Sequence, residues 1–100
     1  MATTFTVLFR GSASLTSTTL YTTPASTTTL INSILITNAN STNQTYSLYF
    51  DDVSSAEVVQ VPANDTVILD LKQVLNSGET IKGLASSTDV KFHISGLEIT

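Results

Sequence analysis

The sequence predicts an all-β domain, an antiparallel β-sandwich of about eight strands with jelly-roll or Ig-like connectivity. Three observations predict it. Thr, Ser, Val, Ile and Tyr dominate, with 31 of the 100 residues Ser or Thr, and strong helix formers are too sparse to build an amphipathic helix. Apolar residues alternate with polar ones in short runs, the period of a strand with one buried face. Turn residues interrupt these runs about every ten positions, with no helical stretch between them, which suits a sandwich and not a chain of βαβ units.

The elements follow in order. In TTFTVLFRG, Phe5, Val7 and Phe9 alternate with Thr4, Thr6 and Leu8, and Gly11 ends the run. A short strand around Thr19 to Thr22 meets Pro24, which has no N–H for a central ladder and so marks a corner. The hydroxyl-rich Ala25 to Thr28 is the bend, and the strand after it sends Ile34 and Ile36 one way and Leu35 and Thr37 the other. NANSTNQ is the next turn, because Asn and Ser side chains bond nearby backbone groups and tolerate left-handed conformations.

Tyr46, Leu48 and Phe50 share a face of the following strand, and Asp51-Asp52 closes it into solvent. AEVVQV is a brief strand stopped by Pro62, and DTVILDL puts Val67, Leu69 and Leu71 inward with Ile68 and Asp70 outward. KQVLNSGET holds the one plausible helical turn, ended by Asn76-Ser77-Gly78. The last two strands, TIKGLAS and DVKFHISGLEI, flank a turn at Ser87 to Asp89. In the final strand Val90, Phe92 and Ile94 share a face, while Leu97 and Ile99 resume one residue out of phase across Ser95-Gly96. A β-bulge at Gly96 is therefore expected, to return Leu97 and Ile99 to the core face. The expected core is Ile34, Ile36, Leu48, Phe50, Leu69, Phe92 and Ile94.

Length and charge bound the function. One hundred residues make a single domain, 1–100, with room for one two-layer core and not for a deep cleft as well. Arg10, Lys72, Lys82 and Lys91 are scattered against eight acids, so no basic stripe exists to displace counterions from nucleic acid, and a net charge of −4 gives no pull toward anionic lipid. No apolar run reaches the length of a transmembrane helix, and Met1-Ala2-Thr3-Thr4 lacks the basic start of a signal peptide, so synthesis in a cytoplasm is expected. The absence of cysteine excludes disulfides and thiolate metal sites. Sequons at Asn40, Asn43 and Asn64 are close to the about two that six asparagines in so Ser/Thr-rich a chain give by chance.

Asp51, Asp52 and Glu57 lack the alternating loop of a calcium site. Asp65, Asp70, Glu79 and Glu98 sit at strand ends or on outward faces, not across a cleft as glycoside hydrolysis needs. His93 lies opposite Phe92 and Ile94, with no glycine-framed serine to serve. Tyr46 reads as core, and Tyr21 and Tyr49 as the better surface aromatics. No enzyme activity, cofactor or metal is expected.

Five motifs stand in order along the chain: LYTTPA at Leu20 to Ala25, an apolar strand ending in Thr-Asn at Ile34 to Asn38, Pro62 to Leu69, Leu75 to Ile81, and Glu98-Ile99. Together they resemble a group of short virion structural proteins of tailed bacteriophages, and the resemblance covers about Thr18 to Thr100. It implies a non-enzymatic capsid decoration or cement protein that binds and stabilises the head surface, with the major capsid protein or other virion proteins as partners. The alternative is a neck, tail or fibre-associated adhesion module that binds host-surface glycan. A homo-oligomer, most simply a trimer, at the virion surface is expected, with no nucleic acid or membrane partner. The scarcity of free aromatics and the lack of Trp favour decoration over glycan binding.

Residues 1–11 lie outside the resemblance and form a candidate interface strand; the alternative is that the strand pairs inside its own sandwich, with Leu8 filling a minor hydrophobic contact. Phe5, Val7 and Phe9 are its contact residues, because with Leu8 they give the strand apolar side chains on both faces.

Overall fold

The computed structural model describes residues 2–70 and 72–100. Among them are nine strands and no helix: β1 Thr3–Ser12, β2 Thr18–Thr22, β3 Thr28–Asn38, β4 Gln44–Phe50, β5 Val53–Val61, β6 Thr66–Leu69, β7 Gln73–Leu75, β8 Thr80–Ala85 and β9 Val90–Ile99. They form two antiparallel sheets. The first, here the N-terminal sheet, runs β1-β9-β3-β6 with β7 also on β3; the second runs β2-β8-β4-β5. With β6 and β7 counted as one interrupted strand, the pairings nest, first with last and inward to the β4–β5 hairpin. That is the rolled-up hairpin of a jelly roll and not an Ig sandwich. Ala2 and Thr100 close the roll by exchanging both backbone hydrogen bonds, at 3.1 and 2.8 Å.

The core lies between the sheets. Ile31, Ile34, Ile36, Leu48, Val61, Ile81, Val90, Phe92 and Ile94 are fully buried, and Tyr46 meets Phe92 edge to face with ring centroids 6.3 Å apart. Of the expected core residues, Phe50 and Leu69 are half-buried against this cluster and the other five are buried outright. Val67 and Leu69 point inward and Ile68 is exposed, as the alternation predicts; Leu71 lies outside the described residues.

Two local expectations are corrected. KQVL is a strand, because Gln73–Leu75 pairs with Thr29 to Ile31 and buries Leu75, and the turn that follows takes its left-handed residue at Gly78, φ 83°. The irregularity expected at Gly96 lies in both neighbours of β9 and not in β9 itself. Leu8 is the extra residue of β1, between Val7 opposite Ser95 and Phe9 opposite Ile94. Asn32 is the extra residue of β3, between Ile31 opposite Gly96 and Ser33 opposite Ser95. Gly96 keeps the inward phase, where a Cβ would clash with the Leu30 carbonyl oxygen and crowd Leu8 Cδ1 at 3.0 Å. Glycine is required because the two bulges close in on it, and Leu8 fills the space that its missing side chain leaves.

Polar residues fasten the two ends of the sandwich. Asn38, fully buried, donates to the carbonyls of Thr42, Val61 and Pro62 and accepts from the Asn40 N–H at 2.9 Å, tying the end of β3 to the loop after β5. At the other end Tyr21 of β2 reaches across the layers: its hydroxyl donates to Glu98 of β9 and lies 2.8 Å from the Thr29 hydroxyl of β3. Burial, then the Glu98 carboxylate, push the Tyr21 phenol up to about 12.

Candidate functional site

A strand alternates its faces residue by residue, so a one-residue insertion changes which side chains reach the core. The Leu8 bulge does this to β1. Before it, Thr4 and Thr6 are opposite Glu98 and Gly96 on the inward phase, while Phe5 and Val7 are opposite Leu97 and Ser95 on the outer face. At the bulge Leu8 turns into the core, and Phe9, now opposite Ile94, also packs against it. The three candidate contact residues are therefore divided. Phe5 is 80% exposed and Val7 is 48% exposed, whereas Phe9 belongs to the inner face.

Because β9 is unbroken, Leu97 and Ile99 stay on the outer face and do not return to the core face. Leu97 stands opposite Phe5 on one side and Leu30 on the other, and Leu30 stands opposite Val74 of β7. Phe5, Leu97, Leu30 and Val74 thus form one apolar row straight across four strands of the N-terminal sheet. Its middle is half-buried, and its ends, Phe5 and Val74, are 80% and 59% exposed. Cross-strand neighbours on one face lie about 5 Å apart, so the row is continuous. Beside Phe5 and Val7 is a shallow groove of about 550 Å³, whose lining also includes Asn32, Ser95 and Gly96 at the two bulges. His93 is on the same outer face, half-buried between Arg10 and Leu35.

Sequence reading missed this row. Its signal was present in the phase change of β9: apolar residues on both parities of one strand mean either a bulge or two apolar faces. The second holds here.

The carboxylates do not converge. Asp51 and Asp52, φ 52° and 60°, are the two central residues of the β4–β5 hairpin, with Phe50 opposite Val53. Two successive left-handed residues are what a type I′ hairpin turn demands, and Asp tolerates that conformation. The doubled aspartate is turn chemistry. The nearby Glu79 holds the Asp51 carboxyl above the usual range, and Asp52 is paired with Lys82 at 2.7 Å. Glu79 also accepts the Asn76 N–H, Asp70 accepts from Lys72 at 2.8 Å and is held low by it, and Glu98 accepts from Tyr21. Among the described residues, no group of three or more His, Asp or Glu side chains is placed to hold a metal ion. Of the two surface aromatics, Tyr21 is half-buried with its hydroxyl bonded internally, and Tyr49 is half-buried on β4.

The comparisons with known proteins add no neighbour. No family model, curated protein or solved structure matches this chain.

A second exposed apolar region lies on β5. Val53, Val58 and Val59 are 67%, 69% and 37% exposed, but this strand is bulged twice: Glu57 and Val58 together face Ser47, and Ser55 is a further extra residue. Val58 sits at φ 48°, where a β-branched side chain is strained by about 1–3 kcal/mol, and its N–H is held by the Ser47 hydroxyl at 2.9 Å. Such bulges twist an edge out of register and discourage strand addition, so β5 is a blunted edge and not a docking surface.

Proposed function

We propose that this chain is a non-enzymatic structural module of a tailed-bacteriophage particle, a decoration or cement protein of the head surface, that docks through the outer face of its N-terminal sheet. The supporting observation is the apolar row Phe5–Leu97–Leu30–Val74, which crosses a sheet face that nothing else in the described chain covers. Contiguous exposed apolar surface of this kind marks an interaction site. The charge-poor composition fits a contact made of apolar and backbone groups, and many weak copies on a symmetric shell hold firmly through multivalency. The resemblance of the ordered motifs from Leu20 to Ile99 supports a phage particle as the setting, and the row is a means of holding to it. Glycan adhesion draws less support, because the Tyr21 hydroxyl is engaged between the sheets.

The test is to add the purified protein to particles that lack it and to measure the bound copies by sedimentation, for the wild type and for Val74→Asp. Saturable binding that drops at least tenfold in the variant is expected. An absence of binding to heads and tails alike would overturn the reading.

A further inference from the structure

Of the four sheet edges, three are interrupted. β2 has five residues and is bulged at Leu20, β5 is bulged twice, and the edge opposite β1 is divided between the four-residue β6 and the three-residue β7. Among the described residues only the first half of β1, Thr3 to Val7, is a regular edge, and it contains no charge, proline or glycine. Among the described residues β1 pairs with β9 alone.

The register shows which backbone groups this edge presents. In an antiparallel ladder, hydrogen-bonded and non-bonded pairs alternate. Ala2 and Thr100 exchange both of their bonds, so Thr4 and Thr6 bond to β9, while the N–H and C=O groups of Thr3, Phe5 and Val7 point away from it. The residues with free backbone groups are the same ones whose side chains lie on the outer face.

The stretch Thr3-Thr4-Phe5-Thr6-Val7 reads almost the same in both directions about Phe5. Threonine flanks it on each side, and the outer pair, Thr3 and Val7, have nearly the same β-branched shape. We infer that the partner of this edge is a second copy of the chain, with the two β1 strands pairing antiparallel about a two-fold axis at Phe5. The inference deepens the reading of this face as a docking surface by naming what pairs with its edge.

In that arrangement Phe5 bonds to its own copy and Thr3 bonds to Val7 of the other, giving three bonded pairs of two hydrogen bonds each. The rings of the two Phe5 residues become cross-strand neighbours, a favourable aromatic pair. The row Phe5–Leu97–Leu30–Val74 then continues into the row that the two-fold axis generates from it, one apolar line over eight strands. The Leu8 bulge ends the pairing on one side and keeps Arg10 outside it. An isologous contact of this type closes as a dimer, unlike the threefold ring expected from size alone. Five paired residues bury less than the roughly 800 Å² per partner of a stable complex, so the pair is weak in dilute solution and strengthens when copies are held side by side.

The chain has no cysteine, so single cysteines report the register. Directly opposed bonded residues have Cα atoms about 5.5 Å apart, within disulfide reach, whereas Val7 and its own copy would be about 14 Å apart. At about millimolar concentration under mild oxidation, Phe5→Cys is expected to give a covalent dimer of twice 10.6 kDa, and Val7→Cys to stay monomeric. Phe5→Pro removes an outward N–H and no β1–β9 hydrogen bond. It should therefore remain folded by circular dichroism while its mass no longer rises with concentration as the wild type's does.

A Phe5→Cys chain that stays monomeric, equal cross-linking at both positions, or dimerisation of Phe5→Pro like that of the wild type would overturn the inference. Particle binding separates this claim from the functional one. A chain that pairs but binds no particle contradicts only the proposed function, and one that binds only as a monomer contradicts only the pairing.

Discussion

The two faces of the N-terminal sheet are both apolar, yet only one is closed. On the inner face, Ile34, Ile36, Phe92 and Ile94 are fully buried beneath the second sheet. On the outer face, Phe5, Leu97, Leu30 and Val74 form an equally continuous row that solvent reaches at both ends. β9 contributes to both through alternate residues: Phe92 and Ile94 serve the fold, and Leu97 serves the surface. Apolar patterning alone does not identify a core. A strand with apolar residues on both parities serves two surfaces, and only the one that another layer covers stabilises the fold.

Truncation on the inner face has the largest expected effect. Phe92→Ala should cost about 3–5 kcal/mol, enough to unfold a domain of ordinary stability, because it opens a cavity between the sheets. Urea denaturation reads this directly, and a midpoint near that of the wild type would mean that the inner face is not the core. Gly96→Ala is expected to come next, at about 1–3 kcal/mol, since the methyl group must displace the Leu30 backbone where the two bulges converge. If that variant is as stable as the wild type, the double-bulge account of Gly96 is wrong.

The clasp between the layers has its own signature. The Tyr21 phenol, raised from 10.0 to about 12, contributes stability that is fully present below about pH 10 and is lost as pH rises through about 12. Tyr46, raised by burial, adds to the same loss. The measure is therefore the difference between wild type and Tyr21→Phe: the gap in thermal midpoint should narrow between about pH 10 and 12, and a gap that does not change with pH contradicts the clasp. The smallest effect belongs to the β4–β5 turn. Asp51→Asn removes the repulsion from Glu79 and keeps a residue suited to φ 52°, so at neutral pH the variant should be at least as stable as wild type, and a drop in melting temperature would contradict it.

The layers were legible in the sequence because alternation sets the face directly: Ile34, Ile36, Leu48, Phe92 and Ile94 lie where the period of two puts them. The jelly-roll order was not, since sheet membership depends on pairing partners and not on any one strand's pattern. The bulges at Leu8 and Asn32 were hidden for a related reason. The phase change of β9 is visible in its own residues, but the strand that absorbs the extra residue is chosen by how three strands pack together. Hence Phe5 and Val7 lie exposed on the outer face, where the alternation of β1 puts them, while Phe9, past the bulge, packs against the core instead.

The measurement that most directly tests the division between faces is urea denaturation of Phe5→Ser/Val74→Ser in dilute solution, with Phe92→Ala as the reference. Surface positions that hold no structure together change stability by no more than about 0.5 kcal/mol each, so the double variant should unfold within about 1 kcal/mol of wild type. A loss approaching that of Phe92→Ala would show that the outer row is part of the fold and not a surface kept for a partner.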